Sequence, residues 1–165
     1  MIIRKFLLII RLSVLSLLIL SNKASAQTTT AYGTVTVQIV VRSSCTIAAN
    51  TLSFGNYSAA AVNTTTSLNV TCTNTTPYKV GLSAGSGSGA TVTTRKMTSG
   101  VKTLNYSLYQ DAARTIVWGN TKGTDTINGT GTGMQQAITV YGNIPANQSA
   151  ATGSYVDTIT ATVYF

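Results

Sequence analysis

The chain has 165 residues, with eleven Lys or Arg against three Asp or Glu and no His. It also has no Glu, and its only acids are Asp111, Asp125 and Asp157, so general acid/base pairs, His-dependent triads and His-containing metal sites lack their side chains. Neither an enzyme nor a cofactor is expected, and the low charge content, 8% against roughly 25% in an average soluble protein, points to β-rich exported material whose polarity comes from Thr, Ser, Asn and Gly.

The first 26 residues read as a signal peptide. Arg4, Lys5 and Arg11 give a basic start, Leu12 to Leu20 is mostly apolar, and Ala24-Ser25-Ala26 offers small residues for cleavage ahead of Gln27. A membrane anchor fits less well, because the apolar stretch from Phe6 to Leu20 is interrupted by Arg11 and falls short of the ~20 residues a spanning helix needs. Cleavage would leave 139 residues, enough for one sandwich with a core, and seven bases against three acids, a balance of +4. Those bases are scattered, with only Arg95 and Lys96 adjacent, so a solvated positive surface is expected and a nucleic-acid partner is not.

Along the rest of the chain the apolar period is two, and no segment sustains a helical period. The expected fold is all-β. Candidate strands run Tyr32 to Val41, Cys45 to Ala48, Thr51 to Tyr57, Ser67 to Cys72, Tyr78 to Ala84, Thr91 to Met97, Lys102 to Gln110, Gln135 to Ile144 and Tyr155 to Phe165. Turn formers separate them at Asn74 to Pro77, Gly85 to Gly89, Ser99-Gly100 and Asn128 to Gly133. Regular spacing of short strands favours a β-sandwich. The Gly85 to Gly89 run lacks the Lys-Ser/Thr of a phosphate loop and reads as a connection. Asp111 to Thr115 reads as a turn in which Asp111 bonds local backbone and Arg114 screens it. Trp118 reads as core or rim packing, and the Gly-, Thr- and Asn-rich stretch after it takes no assignment.

The two cysteines, Cys45 and Cys72, would meet an oxidising compartment after export, where a single pair closes. A metal site would need two further ligands. Both ends of the exported chain look like strands: Val35, Val37, Ile39 and Val41 share one face, and Ile159, Ala161, Val163 and Phe165 share another. Periodicity alone leaves two options, pairing of the termini within one molecule or completion of another copy.

Several segments in order carry a family resemblance: Gly33-Thr34-Val35-Thr36-Val37 leading to Cys45-Thr46-Ile47, Leu52-Ser53-Phe54-Gly55, and Leu68 to Cys72. Leu104 to Tyr109 running into Asp111 to Thr115, then Tyr141 to Pro145 and Gly153 to Phe165, complete it. With these, the chain resembles the spore coat protein U domain family, and within it major subunits of archaic chaperone-usher pili of the Csu type. The resemblance implies an incomplete immunoglobulin-like β-sandwich completed by donor-strand complementation. Residues 27–41 would be the donor-strand extension and residues 42–165 the sandwich domain. Val35, Val37, Ile39 and Val41 would be the donor residues, Cys45–Cys72 the disulfide, and Ile159, Ala161, Val163 and Phe165 the groove strand that a chaperone grips. The implied partners are other copies of the chain, a periplasmic chaperone and an outer-membrane usher, with export to the periplasm and then the cell surface.

Among function classes, this favours a structural pilus subunit serving surface attachment or biofilm formation. A tip adhesin would be expected to carry a second domain, and a spore or cell-envelope coat protein would share the fold.

Overall fold

The computed structural model describes residues 26–165, so the expected signal peptide lies, but for its last residue, outside the described residues. The chain divides into two compact units, Met1–Ile39 and Val40–Phe165. In the first, residues 26–39 belong to no strand, and Val35, Val37 and Ile39 are 88–89% exposed. The strand expected over Tyr32 to Val41 is therefore absent here. Alternating β-branched residues favour an extended backbone, but a strand exists only when its N–H and C=O groups find a partner ladder.

The second unit is an immunoglobulin-like two-sheet sandwich, and no helix occurs among the described residues. Its eight strands are β1 Cys45–Ala49, β2 Val62–Cys72, β3 Pro77–Leu82, β4 Arg95–Ser99, β5 Lys102–Tyr109, β6 Ile127–Thr130, β7 Gln135–Ile144 and β8 Ala161–Tyr164. The larger sheet has the order β1-β2-β7-β5-β4 and the smaller β6-β3-β8, with every pairing antiparallel. Alternation sets which side chains enter the core. Leu68 and Val70 of β2, Val80 and Leu82 of β3, Leu104 and Leu108 of β5, and Val140 and Ile144 of β7 are buried between the sheets. Each contributes roughly 1.5–3 kcal/mol of burial.

Several elements depart from the sequence expectation for local reasons. Thr51 to Tyr57 forms no ladder; it leaves β1 with Gly55 at φ 69° and packs Leu52 and Phe54 inward instead. The β4 strand begins only at Arg95, because Thr91 and Thr94 close a turn through Thr91 N–H to the Thr94 carbonyl and Thr94 N–H to Thr91 Oγ1, both at 3.0 Å. A strand, β6, occupies Ile127–Thr130 where Asn and Gly suggest a turn. It is an edge strand on β3, with Gly129 lying so close to the Tyr78 ring that a Cβ would collide with it. Within Tyr155 to Phe165 only β8 is laddered; Val156 bridges Thr98 of β4 and Thr160 accepts from Ser83 N–H, so this last segment touches both sheets in turn.

Candidate functional site

β1 ends the larger sheet and β8 ends the smaller, and the two edges lie near each other. Each is laddered on one flank only, β1 to β2 and β8 to β3. An edge strand presents unpaired backbone N–H and C=O groups on its other flank. Between residues 49–54, which follow β1, and residues 155–161, which lead into β8, a groove of ≈ 390 Å³ opens onto the core. Its floor is the inner face of the larger sheet, including Leu68, Tyr106, Leu108 and Val140.

The first rim is fixed by a missing side chain. Leu52 and Phe54 pack over Gly142 on β7, where an added Cβ would lie 2.8 Å from Phe54 Cζ and 2.9 Å from Leu52 Cδ2. Phe54 also meets Tyr106 edge-on, with centroids 5.9 Å apart. The Tyr57 hydroxyl donates to the Pro145 carbonyl at 2.9 Å and so ties the end of this segment to the residue after β7.

The second rim is held by Asp157, which points into the sandwich with Tyr155 and Ile159. Its Oδ1 accepts from Ser86 N–H (2.7 Å), Ser86 Oγ (2.8 Å) and Thr158 N–H (2.7 Å), and its Oδ2 accepts from the Tyr106 hydroxyl at 2.7 Å. Burial pushes the carboxyl pKa up, but the bonds from Ser86, Tyr106 and Thr158 outweigh it and hold the pKa below the ordinary carboxylate value. Burial, then the bond to Asp157, raises the Tyr106 phenol well above its ordinary value. Tyr106 stays neutral and donates.

Behind the groove, Arg95 is fully buried, correcting the expectation that it belongs to a solvated positive surface. Its guanidinium donates to four backbone carbonyls: Nε to Ser83 (2.9 Å), Nη1 to Val92 (2.7 Å), and Nη2 to Leu82 (3.1 Å) and Trp118 (2.6 Å). Burial lowers its pKa, and Tyr106, Asp157 and Asp125 act to raise it. Trp118 is a core residue as expected, its indole N–H on the Val80 carbonyl at 2.9 Å. Asp111 accepts from Thr115 N–H, Thr115 Oγ and Ile116 N–H as its turn reading requires. Arg114, at φ 58°, instead donates to the carbonyls of Ala112 and Gly142.

Of the residues singled out in sequence, Ile159 and Ala161 line the groove, and Val163 packs on the core opposite Val80 of β3. Phe165 lies past the end of β8 and is 58% exposed. Val35, Val37 and Ile39 fall in the first unit, and Val41, 74% exposed, at the start of the second. Cys45 and Cys72 form a disulfide across the first register pair of β1 and β2, with Cα atoms 4.1 Å apart. Sequence reading missed the Asp157–Tyr106–Ser86 cluster. Its signal was available: an acid in phase with Tyr155 and Ile159 on the inward face of a strand. Among the described residues no group of three His, Cys, Asp or Glu could hold a metal. A groove of this shape suits an extended strand that adds to the exposed edges and lowers alternate side chains onto the floor.

The family described as Spore Coat Protein U domain matches residues 31–162. The chain is 38% identical over 129 residues to "Protein U" of Myxococcus xanthus, across 70% of this chain and 72% of that protein. Its fold is similar to a chain in the crystal structure of the CsuC-CsuE chaperone-tip adhesion subunit pre-assembly complex from archaic chaperone-usher Csu pili of Acinetobacter baumannii. That likeness has a TM-score of 0.56 and 25% identity, and it covers 76% of this chain but 40% of that one.

Proposed function

The chain belongs to the Spore Coat Protein U domain family, and from that premise we propose that it is a structural subunit of a chaperone-usher pilus that polymerises by donor-strand exchange. In this reading a periplasmic chaperone lends a strand to the groove beside β8. At an outer-membrane usher, residues 27–41 of the next copy replace it, with Val35, Val37, Ile39 and Val41 as the inserted residues. The fibre then stands on the cell surface and serves attachment or biofilm formation. No catalytic step is involved.

The observation that carries this reading is the open apolar groove between two edge strands in a chain that also holds an exposed, alternating β-branched segment. Burying four such side chains at roughly 1.5–3 kcal/mol each would leave several kcal/mol per junction after ordering costs. The similarity to a chaperone–subunit complex supports the chaperone as partner.

Deletion of residues 27–40 tests the mechanism. The deleted subunit should bind a chaperone yet add to no other subunit's groove, and fusing a copy of residues 30–41 after Phe165 through a flexible linker should give a stable monomer. Fibres of normal length from the deleted protein would refute the reading. A second reading, a polymer laid down as a spore or cell-envelope coat, is favoured by the family's description and the identity to Protein U. Immunogold labelling separates the two, since a coat would decorate the envelope without projecting fibres.

A further inference from the structure

We propose that the outward face of β1, β2 and β7 is a self-association surface through which copies of this chain pack side by side, on the opposite side of the larger sheet from the groove. These strands, 5, 11 and 10 residues long, are adjacent in the order β1-β2-β7 and contain no charged residue. Their outward positions are small or neutral: Thr46 on β1, Asn63, Thr65 and Asn69 on β2, Ala137 and Thr139 on β7. Residues 27–165 carry a balance of +4, and the bases lie elsewhere. Lys79 is on β3 bonded to Asn128 of β6, Lys122 is over the Tyr164 ring, Lys96 and Lys102 are on the β4–β5 hairpin, and Arg95 is buried. Arg114 meets the border of the face at Tyr141, 5.8 Å from the ring centroid, and two of its nitrogens are bonded to backbone carbonyls.

Two properties select a second copy as the occupant. Like-charged molecules approach most easily where neither presents charge, and this face satisfies that condition on both partners at once. Exposed sheet surfaces that resist association ordinarily carry interspersed Lys and Glu, which are missing here. The side chains are also already restrained. Asn143 Nδ2 donates to Asn63 Oδ1 at 2.8 Å, and Thr residues have few χ1 states, so ordering them at a contact costs little. The face lies away from the strand-accepting edge. In a fibre, which rests on the function proposed above, it would recur on every subunit, and contacts too weak to hold one pair would add along two parallel fibres.

Charge exchange on the face tests this with the full exported chain. One fibre preparation carries Thr65→Lys with Thr139→Lys, another Thr65→Glu with Thr139→Glu; both positions are exposed on neighbouring strands. Wild-type fibres should pellet as bundles at low speed, increasingly so as salt rises and screens the net charge. Lys fibres should remain single, with the pelleted fraction down about tenfold as like charges are forced together. Mixing Lys with Glu fibres should restore bundles under the electron microscope. Lys fibres that bundle like wild type, wild-type fibres that stay single at every salt concentration, or bundles that form only on adding a neutral polysaccharide would each overturn the proposal. Absence of any wild-type fibre would instead count against the pilus reading. The face is then judged by sedimentation equilibrium of the unpolymerised chain, where a dimer constant indifferent to the same substitutions overturns it and a tenfold weakening supports it.

Discussion

Arg95 donates through Nη2 to the main-chain carbonyl of Trp118 at 2.6 Å, and both side chains are fully buried. The guanidinium thereby gathers four carbonyls from β3, its following loop, the residues before β4 and the Trp118 segment. It acts as a hub between the two sheets. Replacing it by Met leaves those acceptors buried without donors, at ~1–3 kcal/mol for each one that water does not reach. Arg95→Met should therefore lower the urea midpoint strongly. Arg95→Lys, with three donors and the charge kept, should lower it less.

Acid should loosen the groove rim. The folded pKa of Asp157 is depressed, so the unfolded chain binds its proton more readily. The stabilisation is present above the unfolded carboxylate value near ~3.9 and is lost as pH falls through the folded value. Urea midpoints compared at pH 6 and pH 3 should drop for the natural chain and change less for Asp157→Asn. That variant should already be weaker at pH 6, because an amide offers N–H groups where the site supplies donors.

Gly142→Ala should unseat the first rim. The new Cβ meets Phe54 and Leu52 at 2.8–2.9 Å, and overpacking of this kind costs roughly 1–3 kcal/mol. Limited proteolysis should then cut within residues 50–57 faster, with β7 still protected from hydrogen exchange.

Removing the disulfide should cost stability without removing an activity. Closing a sequence separation of 27 corresponds to about 3–4 kcal/mol on the chain-entropy account. Cys45→Ala with Cys72→Ala should lower the yield of exported subunit, and alkylation of the natural chain under denaturing conditions should find no free thiol.

How much of this was legible depended on whether the cause was local. Alternation placed β7 at Gln135–Ile144 and located β5 to within a residue, because each strand has one core face whose apolar residues the period reveals. The oxidised cysteine pair followed from its being the only one. Arg95 was not legible, since its four acceptors come from residues 82, 83, 92 and 118 and meet only after both sheets form. The β6 strand was hidden for a related reason: Ile-Asn-Gly-Thr reads as a turn until β3 offers an edge and Tyr78 covers its glycine. The groove was half legible. Its β8 rim showed as an alternating final strand, whereas the Leu52–Phe54 rim depends on Gly142, some ninety positions away.

The bond between Cys45 and Cys72 also sets how the domain bears force. Tension entering along the chain ahead of Cys45 passes through the disulfide into the end of β2, so the 27-residue interval is bypassed and β1 cannot be peeled from its neighbour. Stretched by an optical trap, the oxidised domain should lengthen by about 90 Å less than the reduced one, at 3.3–3.6 Å per residue. Nearly all of β2, the longest strand, then lies off the load path, so even a domain torn open beyond Cys72 keeps a folded β1–β2 pair closed by its own covalent clasp.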